Sequence, residues 1–597
     1  MKSPNASTLI GDVQSVSGNT ISVRLRPGLS SLALVDGTSY RIGQLGSFLR
    51  IPLGYTNLFG VCSQVGAAAL PQAEISNPEV DGRWLTVSLF GESLGGTFQR
   101  GVGQYPTFGD EVHLVTNSEL ELVYGSSDIG TPLTVGSISS STGIQARLDL
   151  SRLVARHSAV VGSSGSGKSN LVAVLLDAIA NQGYPSARVI VLDPHGEYSS
   201  AVGSDGYVFS VTPEAGQQPL FVPYWALPFD ELMEITLGDM NPTNVAAVRS
   251  ETERLKREGA TTLTTPPPAA AISADSPVPF SARQLWADLI DFENRSYTDS
   301  SFTTATSVTL GDPETLTENT YPPPAIGPGP PQKGPKRGIS RNLELMKNRL
   351  RDSRYKFLLE PGPDLTPSLT GEVTVDLDTL VASWVGHDRP ITVIDLSGSP
   401  SDVLGLVTGT VLRIIYDALF WAGDLPTSGK KQPLLIVLEE AHLFLPEGHE
   451  SAAQRTVSKI AKEGRKYGVG LMLVTQRPTD LDSTALSQCG TMIALRMTNA
   501  ADRARVSSAM PDDMANFAAL LPSLRTGEAL MTGEAIPLPS RVRIPEASRK
   551  PDGGDADLAD GWRSTSRPAI THYSAALANW RSLSLAAKPT SATTPKP

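Results

Sequence analysis

The sequence predicts an α/β fold: a parallel sheet covered by helices on both faces, with a small antiparallel barrel before it and a helical insertion within it. Three observations predict this. Residues 1–125 carry short period-two segments cut by turn residues. Beyond about residue 145 the pattern changes to continuous apolar runs alternating with helix-length stretches. One of those runs, 158–161, leads directly into a glycine-rich loop and then an amphipathic segment, the strand–loop–helix context of a phosphate-binding motif.

The elements follow in order. Residues 20–25 (TISVRL), 85–89 (LTVSL) and 112–115 (VHLV) alternate in and out as antiparallel strands do, and helical periodicity is nearly absent there. Buried-strand runs then come at 158–161, 189–192, 391–394, 434–438, 471–474 and 492–495. Between 401 and 420, Val403, Leu406, Val407, Val411, Ile414, Ile415 and Ala418 form one wide apolar stripe, so a core helix is expected. Nearly 200 residues separate the second and third runs. That interval begins and ends with helical patterns at 248–257 and 339–357, around a Pro/Ser/Thr-rich tract that includes TTPPPAAA and YPPPAIGPGPPQKGPKRG. A tract so poor in apolar side chains is expected to stay a flexible or disordered loop. The expected division is a barrel over 1–125, a first core segment over 126–235, an insertion over 236–360 with its loop at about 259–338, a second core segment over 361–545, and an arm and loose tail over 546–597.

With 597 residues the chain is too long for one core, and roughly three or four domains are expected. Hydrophobic residues at 40% and charged residues at 19% are ordinary for a globular protein. The net charge of −11 argues against a protein that nucleic acid wraps from outside, though a ring can confine basic groups to its lumen. Two cysteines, Cys62 and Cys489, cannot build a disulfide framework or a thiolate metal site. The N-terminus lacks the apolar core of a secretory signal. The longest apolar runs, about five to eight residues, fall far short of the roughly 20 that cross a bilayer. A cytoplasmic location without membrane attachment is the expectation.

The strongest local signal is Gly162-Ser163-Ser164-Gly165-Ser166-Gly167-Lys168-Ser169. Its glycines let backbone N–H groups turn inward around phosphate oxygens, and the following helix N-terminus adds partial positive charge. Lys168 would bring a full charge to the β- and γ-phosphates of ATP, and Ser169 a hydroxyl for Mg²⁺. Gly162, Ser163, Gly165, Ser166, Gly167, Lys168, Ser169 and Asn170 are thus the expected nucleotide contacts. The run 434–438 ends in Glu439-Glu440-Ala441-His442, which sets two acids at the carboxyl edge of a parallel sheet, where ligands bind. Glu439 is expected to hold Mg²⁺, directly or through water, and Glu440 to orient or deprotonate the attacking water. The next run ends in Thr475-Gln476-Arg477-Pro478, so Gln476 could sense the γ-phosphate or position water. Asp193, in Asp193-Pro194-His195-Gly196-Glu197-Tyr198, is expected beside the phosphate-loop strand and near the Mg²⁺ shell; His195 with Glu197 makes only a weak metal site. Lys462-Glu463-Gly464-Arg465-Lys466-Tyr467-Gly468 ends a helix, where cations are common for dipole reasons alone. The sharper reading is that Arg465 reaches a neighbouring subunit's γ-phosphate.

Taken in order, GSSGSGKSN, VLDPHGEY, RLRDSRYKF (349–357), ITVIDLSGSP, LLIVLEEAHLFLP, KEGRKYG and LVTQRP resemble the HerA family of bacterial and archaeal translocases. The match continues through Leu486-Ser487-Gln488 and Met497-Thr498-Asn499 and spans essentially residues 1–545. The resemblance implies a RecA-like P-loop core, an N-terminal barrel of that family's type, and a homohexameric ring that pumps double-stranded DNA through its centre using ATP. It also implies a nuclease or other effector partner, and roles in hydrolysis for the paired acids, Gln476 and Arg465. The Pro-rich tract is longer than that pattern leads one to expect. Its basic run, Lys333 to Arg337, could touch DNA or keep a loop soluble. A second reading keeps every motif: an ATP-gated scaffold that assembles and regulates an effector enzyme in anti-phage defence. A third is a secretion or conjugation ATPase that moves protein. An ABC-type motor is disfavoured, because no LSGGQ-like signature occurs.

Overall fold

The structure, a computed structural model, describes residues 8–35, 37–66, 83–125, 130–325, 331–399, 401–448, 451–510, 517–553, 558–563 and 567–582. The barrel is built from six strands: β1 (Leu9–Ser17), β2 (Thr20–Leu25), β3 (Phe48–Leu53), β4 (Thr56–Val65), β5 (Trp84–Leu94) and β6 (Glu111–Leu114). They pair in the order β2-β1-β6-β3-β4-β5, and β5 pairs back with β2 to close the ring. Alternation dictates the interior: Ile10, Val13, Ile21, Val23, Leu49, Ile51, Leu58, Cys62, Leu85, Val87 and Val112 form its core.

A second sheet of twelve strands organises the rest of the described chain. Its strands are β7 (Pro132–Ile138), β8 (Ser141–Asp149), β9 (Ser158–Val161), β10 (Arg188–Asp193), β11 (Gly206–Ser210), β12 (Gln218–Pro219), β13 (Ile391–Asp395), β14 (Leu434–Leu438), β15 (Val469–Thr475), β16 (Thr491–Leu495), β17 (Glu528–Gly533) and β18 (Ser540–Arg543). The spatial order is β8-β7-β18-β17-β16-β9-β15-β14-β10-β13-β11-β12. From β16 through β12 all pairings are parallel, and from β17 through β8 they are antiparallel. Strands β9, β10, β13, β14, β15 and β16 all correspond to the apolar runs of the sequence. Each is buried along its whole length except at Arg188, as a sheet covered on both faces requires.

Helix α1 (Lys168–Asn181) follows β9 and buries Leu171, Val172, Leu175 and Ile179. The long helix α5 (Ser401–Trp421) includes a stretch, Val403–Trp421, that is long and apolar enough to cross a membrane, with 61% of its most apolar window buried in this fold. Val403, Val407, Val411, Leu412 and Ile415 lie in the main core, and Arg413 and Asp417 interrupt the apolar character. Burial against the sheet accounts for its composition.

The insertion departs from expectation. Helices α2 (Pro242–Ala260) and α4 (Ser340–Arg351) match the two helical patterns, but a third, α3 (Ala282–Asn294), forms inside the tract read as a flexible loop at 259–338. Ser281 caps it by accepting from the Gln284 N–H at 3.1 Å. Leu285, Trp286, Leu289 and Ile290 are buried, and Trp286 Nε1 donates to the Leu343 carbonyl of α4 at 3.1 Å. The reading of that tract as one loop is corrected: averaging over its prolines hid a capped amphipathic helix. Residues 326–330, part of the same tract, lie outside the described residues, as do residues 583–597 of the expected tail. The start of the expected arm is packed, not loose. Arg549 donates to the Val202 carbonyl at 2.8 Å and pairs with Asp205, and Asp552 N–H donates to the Glu197 carbonyl.

Candidate nucleotide-binding and hydrolysis site

Register places the chemistry. Val161, the last residue of β9, is level with Thr475 of β15, and Leu438 of β14 is level with Leu473 of β15 and Leu192 of β10. Because these strands are parallel, Gly162, Gln476 and the pair Glu439-Glu440 emerge at one level on adjacent strand ends.

The loop after β9 is shaped by its glycines. Gly165 and Gly167 have φ of 68° and 104°, where a side chain would be strained. A Cβ at Gly162 would lie 2.7 Å from Ser166 Oγ and 2.9 Å from Leu495 Cβ. Gly162 N–H donates to the Thr475 carbonyl and Ser163 N–H to the Arg496 carbonyl, anchoring the loop to β15 and to the chain just past β16. Gly527 N–H donates to the Ser166 carbonyl at 3.1 Å and closes the loop from the far side. Lys168 opens α1, is buried, and its Nζ lies 3.5 Å from the Ser163 carbonyl; Ser169 follows in the same first turn, half-buried. Ser166 Oγ is buried without a partner among the described residues.

Across from the loop, Gln476 and Glu440 close on it. Ser164 Oγ donates to Gln476 Oε1, and Gln476 N–H donates to Glu440 Oε2 at 3.4 Å. Burial works to raise the Glu440 pKa, but His442, the Lys168 ammonium and that N–H outweigh it and hold the carboxyl below its ordinary value. The charge of Lys168 is therefore felt at Glu440: the two motifs face one another. Glu439 is different. It is 2% exposed and accepts from Tyr198 Oη at 2.7 Å. Burial, with Glu440, Glu197 and Asp193 nearby, pushes it up to about 8 despite that hydrogen bond.

Two expected contacts are corrected. Strand β10 does not neighbour β9: β15 and β14 stand between them. The Asp193 carboxylate is engaged in its own turn, accepting from the N–H groups of His195, Gly196 and Tyr198, and burial raises it to about 7. It belongs to the acidic cluster behind Glu439, reached through Tyr198. Asn170 uses both ends of its amide on the C-terminal arm, donating to the Pro545 carbonyl and accepting from the Ala547 N–H, each at 2.9 Å. Its side-chain amide is therefore engaged by the segment Pro545–Ala547, which leaves only its backbone N–H for a nucleotide. No group of three or more metal-ligating side chains occurs among the described residues, so His195 and Glu197 gain no third ligand.

Arg465 lies in the turn Gly464–Tyr467, before β15 begins. It is therefore at the opposite edge of the sheet from the loop, about 20 Å away by the rise of a seven-residue strand. It is exposed, and with Arg188, Lys430 and Lys466 it lines a cavity of about 670 Å³ there. Sequence reasoning missed His442, Thr475, Tyr198, Ser164 and Gly527. The first four sit inside quoted motifs, where the polar spacing Glu440-x-His442 was the available signal; Gly527 is more than 350 positions from the loop and carried none.

The family described as helicase HerA, central domain, matches residues 133–415, and that described as helicase HerA-like C-terminal matches residues 409–544. The DNA double-strand break repair helicase HerA of Pyrococcus furiosus is 26% identical over 456 residues, 71% of this chain and 70% of that protein. The protein of the same description from Sulfolobus acidocaldarius is 25% identical over 474 residues, 78% of this chain and 79% of its own length. Among solved structures, VirB4 of Thermoanaerobacter pseudethanolicus has 15% identity and a TM-score of 0.44, over 70% of this chain and 98% of that one. The bacterial conjugative coupling protein TrwB has 13% identity and a TM-score of 0.40, over 74% and 94%.

Proposed function

Because the chain belongs to the HerA helicase family, we propose that it is a P-loop ATPase that couples ATP hydrolysis to translocation along double-stranded DNA, as a homohexameric ring working with a nuclease or other effector. The observation that carries this reading is the meeting of Lys168, Glu440 and Gln476 at one sheet edge. Lys168 and the N–H groups of Gly165, Gly167, Lys168 and Ser169 bind the β- and γ-phosphates. Glu440, ionised and facing Lys168, takes the proton from the attacking water. Gln476, between the loop and Glu440, orients that water against the γ-phosphate.

Ser169 and Glu439 are the residues that would hold Mg²⁺. A hydroxyl and a carboxylate are hard oxygen donors of the type Mg²⁺ takes. Burial pushes Glu439 up to about 8 and Glu440, Glu197 and Asp193 add to it, so a divalent cation there would relieve repulsion among these acids. When bound, Mg²⁺ supplies charge neutralisation across the β- and γ-phosphates. Arg465 is too far from its own loop to act there, so its role requires a second copy whose nucleotide lies against this edge. DNA is gripped through phosphates, a sequence-tolerant and salt-sensitive contact.

The test is ATP turnover with and without double-stranded DNA. DNA is expected to stimulate the wild type, with stimulation fading as salt rises, while Lys168→Ala is inactive in both conditions. Turnover indifferent to DNA at every salt concentration would favour the ATP-gated scaffold, and turnover by Lys168→Ala would remove the site assignment.

A further inference from the structure

The backbone of Glu440 is held in the left-handed region, at φ 46° and ψ 49°. For a residue with a side chain this conformation is strained, and it persists only where surrounding contacts over-determine it. Two contacts grip the same carboxylate oxygen: the Gln476 N–H at 3.4 Å and His442 Nδ1 at 3.3 Å. His442 Nδ1 is also 3.1 Å from Thr475 Oγ1, which accepts from the Arg477 N–H at 3.0 Å. The imidazole is 11% exposed, so these contacts are sheltered from water. An ionised carboxylate can only accept, so Nδ1 is the nitrogen that carries the proton toward it.

Resting on the reading of Glu440 as the water-activating residue, we propose that His442 is a positioning residue. Braced by Thr475, it clamps Glu440 in its left-handed conformation above the phosphate loop and ties it to the strand end that carries Gln476. The clamp couples two groups that must move as one. Thr475 is the last residue of β15 and Gln476 the next, so a displacement of Glu440 is transmitted through His442 to the segment that holds Gln476. Among the described residues the hydrogen bonds and ion pairs of the His442 side chain run to Glu440 and Thr475 and not to the phosphate loop, so its loss is expected in kcat and not in KM for ATP.

The experiment measures kcat and KM for His442→Ala, His442→Asn, Thr475→Val, the His442→Ala/Thr475→Val pair, and Glu440→Gln. His442→Ala is expected to lower kcat by about 10- to 100-fold, the scale of a catalytic group displaced by about 1 Å, with KM nearly unchanged. Asparagine, whose amide Nδ2 can stand where Nδ1 stands, is expected to recover most of the loss. Thr475→Val is expected to cost less than His442→Ala and to add nothing to it, because it acts through the same clamp. Wild-type kcat in His442→Ala alongside an inactive Glu440→Gln overturns the clamp and leaves the reading of Glu440 standing. A loss confined to KM, or an asparagine variant as slow as alanine while binding ATP normally, also overturns it. Should the alanine variant fail to fold, the asparagine and Thr475 variants carry the test on the same criteria. Wild-type turnover by Glu440→Gln would instead sink the underlying reading, and this inference with it.

Discussion

At the scale of single residues, the site depends on where atoms are absent as much as on where they are present. The missing Cβ at Gly162 leaves room for Ser166 Oγ and for the β16 backbone at Leu495. Gly162→Ala would put a carbon 2.9 Å from Leu495 Cβ, which rides on a buried strand and cannot rotate away. ATP affinity is expected to fall by at least about tenfold, roughly 1.4 kcal/mol, with the melting temperature little changed. Equilibrium nucleotide binding checks this, and unchanged affinity would mean that the loop does not hold its shape for phosphate. The placement of Lys168, Ser169, Glu440 and Gln476 at one sheet edge was legible in the sequence because each lies within a few residues of a strand end. The engagement of the Asn170 side chain was illegible because its partners, Pro545 and Ala547, lie about 375 positions away. Asp193 was misread because adjacency in a parallel sheet depends on strand order, which apolar runs do not encode.

At the scale of elements, the strands and the long helix were legible through their period, whereas the insertion was not. Its core depends on a few side chains dispersed among prolines and threonines. Trp286 is one. Lys256, on α2, is another: it is fully buried, and its Nζ donates to the carbonyls of Ala274 and Ser276 at 2.7 and 2.6 Å, with that of Trp225 at 3.4 Å. Nothing in a linear reading announces a lysine that ties two separate segments, at Trp225 and at Ala274–Ser276, to its own helix. Burial lowers its pKa from 10.5 to about 7. The folded protein therefore gives up this proton near neutrality, while the unfolded chain keeps it to about 10.5. Between those values the unfolded state binds more protons, so the contribution of this residue to stability rises with pH. Against Lys256→Met, the wild type is expected to gain relative stability between pH 7.5 and 9.5, measured by chemical denaturation at both values. A gap that stays constant or narrows would contradict the assignment.

At the scale of the whole molecule, the same sheet has two edges that carry candidate residues. One presents Lys168, Glu440 and Gln476; the other presents Arg465 at the start of β15. A strand this long keeps them apart within one chain, so if both serve hydrolysis they do so between copies, and the net charge of −11 does not exclude DNA contact, since a ring can confine basic groups to its lumen. These consequences follow only if the loop and the paired acids share a single nucleotide. The most direct measurement is a crystal structure of the protein with a slowly hydrolysed ATP analogue and Mn²⁺, the ion located by its anomalous signal. The expected result is one nucleotide with its γ-phosphate between Lys168 and Gln476, and manganese bound at Ser169 on the Glu439 side. A triphosphate bound elsewhere, or an ion with Glu439 and Glu440 both turned away from it, would contradict the account.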